Sequence, residues 1–152
     1  MKKQVKIRQI KSSTPKLASA VEYLMEQLSP GARRREVGKR VKSLLRNPAV
    51  ILLGAFDTHN ALIGIVTLYQ VETLGRKFLL FEECVVDARF RGEGIGQELA
   101  GAAVNLIRDN PDLGDRIEGT CHENNAAAWN AYMKGGFHDR HNRAFFWVRH
   151  WT

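Results

Sequence analysis

The chain has 152 residues, 44% of them hydrophobic and 26% charged, with 13 glycines and 4 prolines. That length fits one domain able to bury ~68–70% of its unfolded surface, and the composition excludes collagen-like, low-complexity and wholly disordered classes. The formal net charge of +7 is uneven: residues 1–50 hold 13 Lys/Arg against 3 acids, residues 51–152 hold 10 against 13. An asymmetry of this kind bears on substrate or partner more than on the fold.

Two cysteines, Cys84 and Cys121, form no CxxC and are too few for a disulfide framework. The first 30 residues show no apolar signal-peptide core. The longest apolar run, residues 49–56, is broken by Gly54 and falls far short of the ~18 residues of a membrane span. A soluble, cytoplasmic protein is therefore expected, with no membrane partner. The histidines form neither HxH nor HExxH, so no metal site is expected.

Residues 5–10 alternate apolar and polar side chains, which predicts a half-buried strand. Thr14-Pro15 reads as a helix cap and first helical position, followed by Leu17, Val21, Leu24 and Leu28 at helical spacing. Ser29-Pro30 is read as the start of a second helix, with Val37, Val41, Leu44 and Leu45 on its apolar face and an end before Pro48. Residues 50–56 and 62–71 read as a hairpin around Asp57-Thr58-His59-Asn60, and residues 78–86 as a further strand. A helix follows Gly96, then a short strand over 116–121 and a helix over 125–134 that stops at Gly135-Gly136. The aromatic residues 137–151 would close the sheet with one or two strands. The order predicts a mixed α/β domain over residues 1–152.

The most informative segment is Arg91-Gly92-Glu93-Gly94-Ile95-Gly96, where a strand runs into a helix through three glycines. Glycines let the backbone turn tightly and approach a ligand, and free N–H groups at a helix start attract an anion such as a pyrophosphate. The spelling is not a P-loop, because no Gly-Lys follows. It is not a dinucleotide fingerprint either, because the third glycine comes one residue early and three strands precede it. A tight turn with no ligand is the plainer alternative.

A second pattern places Asn125, Ala128 and Tyr132 on one helix face, with Gly136-Phe137 after it. Taken together, the two segments resemble the GNAT superfamily of acyl-CoA-dependent N-acyltransferases. Residues 91–96 match its R/Q-x-x-G-x-G/A loop, and residues 125–137 its N-x-x-A-x-x-x-Y-x-x-x-G-F segment. Residues 81–87 are similar to the strand of glucosamine-phosphate N-acetyltransferases and related small-amine members, with Glu83 in place of Asp. The resemblance implies a mostly antiparallel central sheet flanked by about four helices, with the acyl-CoA loop between strand 4 and helix 3.

It further implies acetyl-CoA as cosubstrate. Backbone N–H groups of Arg91, Gly92, Glu93, Gly94, Ile95 and Gly96 would hold the pyrophosphate. The backbone at Cys84, Val85 and Val86 would pair with the pantetheine arm, with an N–H near Val86 serving as an oxyanion hole. Asn125 and Ala128 would contact the cosubstrate, and Tyr132 would protonate the departing thiolate. Glu82 or Glu83 is the candidate base, with Glu82 favoured by its match to the strand of the resembled enzymes. The alternative is solvent as base, with one Glu paired to an Arg. Neighbours on a strand point to opposite faces, so at most one of the two should face the substrate.

Three departures from the pattern carry expectations. Glu93 stands where a basic residue is common and would weaken phosphate binding modestly. Gly135 stands where Leu is common, implying a looser last helical turn. Trp129 would shape the acceptor pocket or pack in the core. The acceptor is read from charge: Arg33, Arg34 and Arg35 with Arg140 and Arg143 would favour an anionic amine, although a solvated basic helix face is the plainer account. The competing function is an acyl-CoA-binding regulatory module held to nucleic acid by the basic N-terminal third. Missing interleaved aromatics and the lack of a helix-turn-helix argue against nucleic acid. A homodimer is the expected assembly.

Overall fold

The computed structural model describes residues 4–31 and 34–141. Strand β1 (Lys6–Ile10) is followed by helices α1 (Pro15–Leu28) and α2 (Arg34–Arg46), then strands β2 (Val50–Phe56), β3 (Leu62–Glu72) and β4 (Lys77–Val86). Helix α3 (Ile95–Asp109), strand β5 (Ile117–Gly119) and helix α4 (Ala126–Lys134) complete the described elements. The five strands lie in sequence order, antiparallel except for the parallel β4–β5 pair. The closing strands expected over residues 137–151 lie outside the described residues beyond position 141.

Local chemistry explains most boundaries. Thr14 caps α1 by accepting a hydrogen bond from the Leu17 N–H at 3.1 Å, with Pro15 in the first turn. Ser29-Pro30 closes α1 instead of opening α2. The Ser29 N–H bonds back to the Met25 carbonyl, Gly31 turns through φ 79°, and α2 starts only at Arg34. The β2–β3 turn is held by the Asp57 carboxylate, which accepts from the N–H groups of His59 and Ala61 at 2.9 and 2.8 Å.

The sheet is covered on both faces. Leu53, Ala55, Val66 and Phe81 face α3, where Leu99, Ala100 and Ala103 complete one core. Ile10, Leu52, Phe56, Ile65 and Val85 face the other way, onto Val21 and Leu24 of α1 and Val41 of α2. This explains why β2 is buried along its whole length. No described helix is long and apolar enough to cross a membrane.

The end of α4 packs tightly, contrary to the looser turn expected at Gly135. A Cβ built there would lie 2.5 Å from the Ala100 Cβ and 3.2 Å from the Gln97 carbonyl. Glycine is needed because α3 and α4 come this close, which fixes α4 against the start of α3.

Candidate active site

The decisive irregularity lies in β4. Ile65 pairs with Val85 and Thr67 with Glu82, so Glu83 and Cys84 together oppose the single residue Val66. This is a β-bulge, which re-aims side chains and interrupts the ladder. Glu83 takes φ 45°, a left-handed conformation that costs a non-glycine residue ~1–3 kcal/mol.

The bulge overturns the expected alternation of Glu82 and Glu83. Residues opposed across paired strands share a face, so Glu82 lies on the side of Thr67. Glu83 lines the same cavity as Thr67, and accepts a hydrogen bond from the Tyr69 hydroxyl at 3.1 Å. Both carboxylates therefore lie on the α1–α2 side of the sheet. Burial, then the neighbouring Glu83 charge, raises the Glu82 pKa above the usual carboxylate value. Burial and the charge of Glu83 raise Tyr69, which stays a phenol and a donor.

Cys84, the second bulge residue, lines a cleft of about 530 Å3 between β4, α3 and α4. Val85 and Val86 continue that wall. Among the described residues β5 pairs with β4 only at Leu79, Leu80 and Phe81. Beyond that point Cys84, Val85 and Val86 border the cleft on the edge of β4 that β5 leaves uncovered, the kind of edge along which an extended ligand arm can pair.

At the far end of β4 the Asp87 side chain is buried, 1% exposed, and caps a short 3-10 turn over Ala88–Phe90. Its carboxylate accepts from the Arg89 N–H at 3.0 Å and pairs with the Arg89 guanidinium at 2.7 Å. The Arg89 hydrogen bond is the main reason its pKa falls below the usual range. The Gln27 side chain of α1 accepts from the Ala88 N–H at 2.8 Å, and Arg91 donates to the Val86 carbonyl at 3.0 Å. These bonds hold the entry to the glycine loop.

Asp87→Ala should therefore lower stability by about 1–3 kcal/mol at pH 7, a lost cap plus orphaned donors. The depressed pKa sets the sign: the contribution is present above the unfolded value of about 3.9 and fades as pH falls through the folded one. Urea denaturation at pH 7 and pH 3 should show the gap between wild type and variant closing in acid.

Gly92 and Gly94 have φ of 80° and 86°, and a Cβ on either would meet nothing within 4 Å. Glycine is needed here for the left-handed backbone, and the space above the loop is open. Gly94 caps α3 with no side-chain hydrogen bond, so no capping side chain covers the first N–H groups of that helix, the kind of terminus that attracts an anion. Arg91, Gly92, Gly94, Ile95 and Gly96 line the cleft; Glu93 does not. A helix N-terminus, an open glycine turn and an unpaired strand edge fit the phosphates and the amide-bearing arm of a CoA thioester.

Helix α4 brings Asn125, Ala128 and Tyr132 to the same cleft. Asn125 also caps that helix, accepting from the Ala128 N–H at 3.1 Å, so the capping and cleft-lining readings both hold. The Tyr132 ring stands edge-on to Phe81 at 5.1 Å between centroids, and Tyr132 and Cys84 line the same cleft. Burial, then the Cys84 thiol, raises its pKa, so it carries its proton at any working pH. Burial pushes the Cys84 thiol up to about 12, which makes it a poor nucleophile. Trp129 is 39% exposed and lines neither cavity.

A model of the acetyltransferase (GNAT) family matches residues 17–137. The chain belongs to that family. Membership makes it an acetyl-CoA-dependent acyltransferase; no curated protein matches the chain. Solved GNAT-fold structures align over nearly the full length. Glucosamine-6-phosphate N-acetyltransferase from Arabidopsis thaliana is 16% identical, covering 95% of this chain and 98% of its own, with a TM-score of 0.74. The aminoglycoside enzyme AAC(6')-Iy, in complex with a CoA bisubstrate analogue, is 18% identical, covering 96% and 99%, with a TM-score of 0.76. An acetyltransferase from Trypanosoma brucei is 17% identical, covering 95% and 100%, with a TM-score of 0.71. At these identities the likeness is one of fold.

Three cavity-lining residues escaped the sequence reading. Gln27 and Leu28 line the cleft from the end of α1. Gln27 lies three residues after the buried Leu24, and a polar residue there was the available signal. Tyr69 shares a strand face with Thr67 after the apolar first half of β3, a Thr-x-Tyr pair whose polarity invited the question of what it faces.

Proposed function

We propose that this GNAT enzyme transfers the acetyl group directly to a primary amine of a small acceptor. The observation that carries the reading is the bulge, which sends Glu83 to one cavity and Cys84, beside Tyr132, to the other. Acetyl-CoA supplies the acyl group as an activated thioester. N–H groups from residue 91 to 96 hold its phosphates, main chain at Cys84, Val85 and Val86 aligns its arm, and Asn125 and Ala128 border it. Glu83, more than Glu82, accepts the proton lost by the amine as the C–N bond forms. Tyr132 gives its proton to the sulfur as the C–S bond breaks.

The anionic acceptor finds little support in the arrangement. Arg140 is committed to Glu118 at 2.8 Å, while Arg33, Arg143 and the side chains of Arg34 and Arg35 lie outside the described residues. A single-domain cytoplasmic homodimer remains the proposed setting, and light scattering checks the assembly.

Thiol release from acetyl-CoA across an amine panel tests the reading. Glu83→Gln is expected to lower kcat/KM about 10²-fold or more, leaving acetyl-CoA affinity within about twofold. An equal loss in Glu82→Gln with Glu83→Gln unaffected would reverse the assignment. Lack of turnover together with lack of acetyl-CoA binding would remove the enzyme reading.

A further inference from the structure

The second cavity, about 280 Å3, lies between the α1–α2 pair and the sheet. Its walls are hydrocarbon: Met25 from α1, Val41 and Leu45 from α2, Leu52 and Ile65 from the sheet. Apart from Arg40 of α2, its polar lining groups come from the strands: Thr67, Tyr69 and Glu83. The one cation among its lining residues, Arg40, is held by Glu36 at 3.0 Å and is largely solvent-exposed. The chamber thus offers a carboxylate at one end and apolar surface elsewhere, with no uncommitted cation along its lining.

That chemistry selects against a phosphate, which would lack a counter-charge, and against a polyhydroxylated sugar, whose hydroxyls would lose water without partners. The volume lies at the small end of ligand pockets, ~300–1,000 Å3, which suits one ring or a short chain and excludes a multi-ring aminoglycoside. An ammonium group on an apolar body satisfies both ends at once.

We propose that the acceptor is a small primary monoamine with an aliphatic or aromatic body, held in this cavity with its nitrogen at Glu83. The proposal rests on the acetyl-transfer reading and narrows it to a substrate class. The bulge gives the arrangement its logic. Glu83 belongs to this cavity and the adjacent Cys84 to the cosubstrate cleft, so consecutive residues of one strand link the two. Each methylene that enters the hydrocarbon part then improves recognition, until the chamber is full.

The test is steady-state thiol release with ethylamine, butylamine, hexylamine and 2-phenylethylamine, beside glucosamine 6-phosphate and spermidine. The expected result is kcat/KM rising roughly 3- to 10-fold per added methylene to a maximum within the series. Glucosamine 6-phosphate and spermidine should be at least about 100-fold poorer than the best alkylamine. Leu45→Phe, which fills the chamber, should cut the hexylamine-to-ethylamine ratio about tenfold while acetyl-CoA affinity stays within about twofold; Val37→Phe, on the same helix, is the second variant should the first fail to fold. A flat alkylamine series, or preference for the sugar phosphate or polyamine, overturns the apolar acceptor and leaves acetyl transfer standing. If acetyl-CoA is neither bound nor consumed with any amine, acetyl transfer itself falls, and the acceptor assignment with it.

Discussion

Replacing Tyr132 with Phe is expected to lower kcat by about 10²- to 10⁴-fold, with acetyl-CoA affinity changed by no more than about threefold. The asymmetry follows from what the substitution keeps. The ring packs edge-on against Phe81 and at a tilt against Phe137, and phenylalanine preserves those contacts. Only the hydroxyl is lost, and with it the proton placed beside Cys84 in the cleft. Because burial raises the phenol pKa, Tyr132 should add no alkaline limb to the pH–rate profile below about pH 10. Rapid-mixing measurement of thiol release, together with equilibrium titration of acetyl-CoA, separates the chemical step from binding. An unchanged kcat would show that the leaving thiolate takes its proton from water.

The second large effect lies in the loop. Gly94→Val should raise the acetyl-CoA Kd at least about tenfold, equivalent to ~1.4 kcal/mol, and lower thermal stability as well. Valine is poorly tolerated at φ 86°, and relaxing to negative φ would turn the first N–H groups of α3 away from the cleft. Since a Cβ at this position meets no neighbour, the loss cannot be assigned to a clash with the protein. Calorimetric titration with acetyl-CoA and with CoA should show equal losses, because both carry the same phosphates. A loss confined to acetyl-CoA would place the effect at the thioester instead.

Much of this was legible along the chain because it is written in local chemistry. Thr14-Pro15, the glycine turn and the Asn125–Tyr132 spacing each act within a few residues, so their meaning survives without knowledge of the fold. The bulge does not: it exists only in the register of β4 against β3, and alternation along β4 alone predicts opposite faces for Glu82 and Glu83. The cavity between the α1–α2 pair and the sheet is equally non-local, since its walls come from two helices and several strands. Ser29-Pro30 misled for a different reason. A Ser-Pro pair suits either a helix start or a turn after a helix, and here Gly31 in the left-handed region decided for the turn.

Glu83 also says something about how this enzyme can decay. Its backbone conformation is one that glycine or asparagine would adopt at lower cost, so the polypeptide at this position would be more comfortable without its carboxylate. Selection for folding alone therefore pulls position 83 away from glutamate, and the proposed role as base is what would hold it there. Copies of the gene released from the second pressure would be expected to lose Glu83 early, becoming sturdier proteins that still bind the thioester and no longer use it.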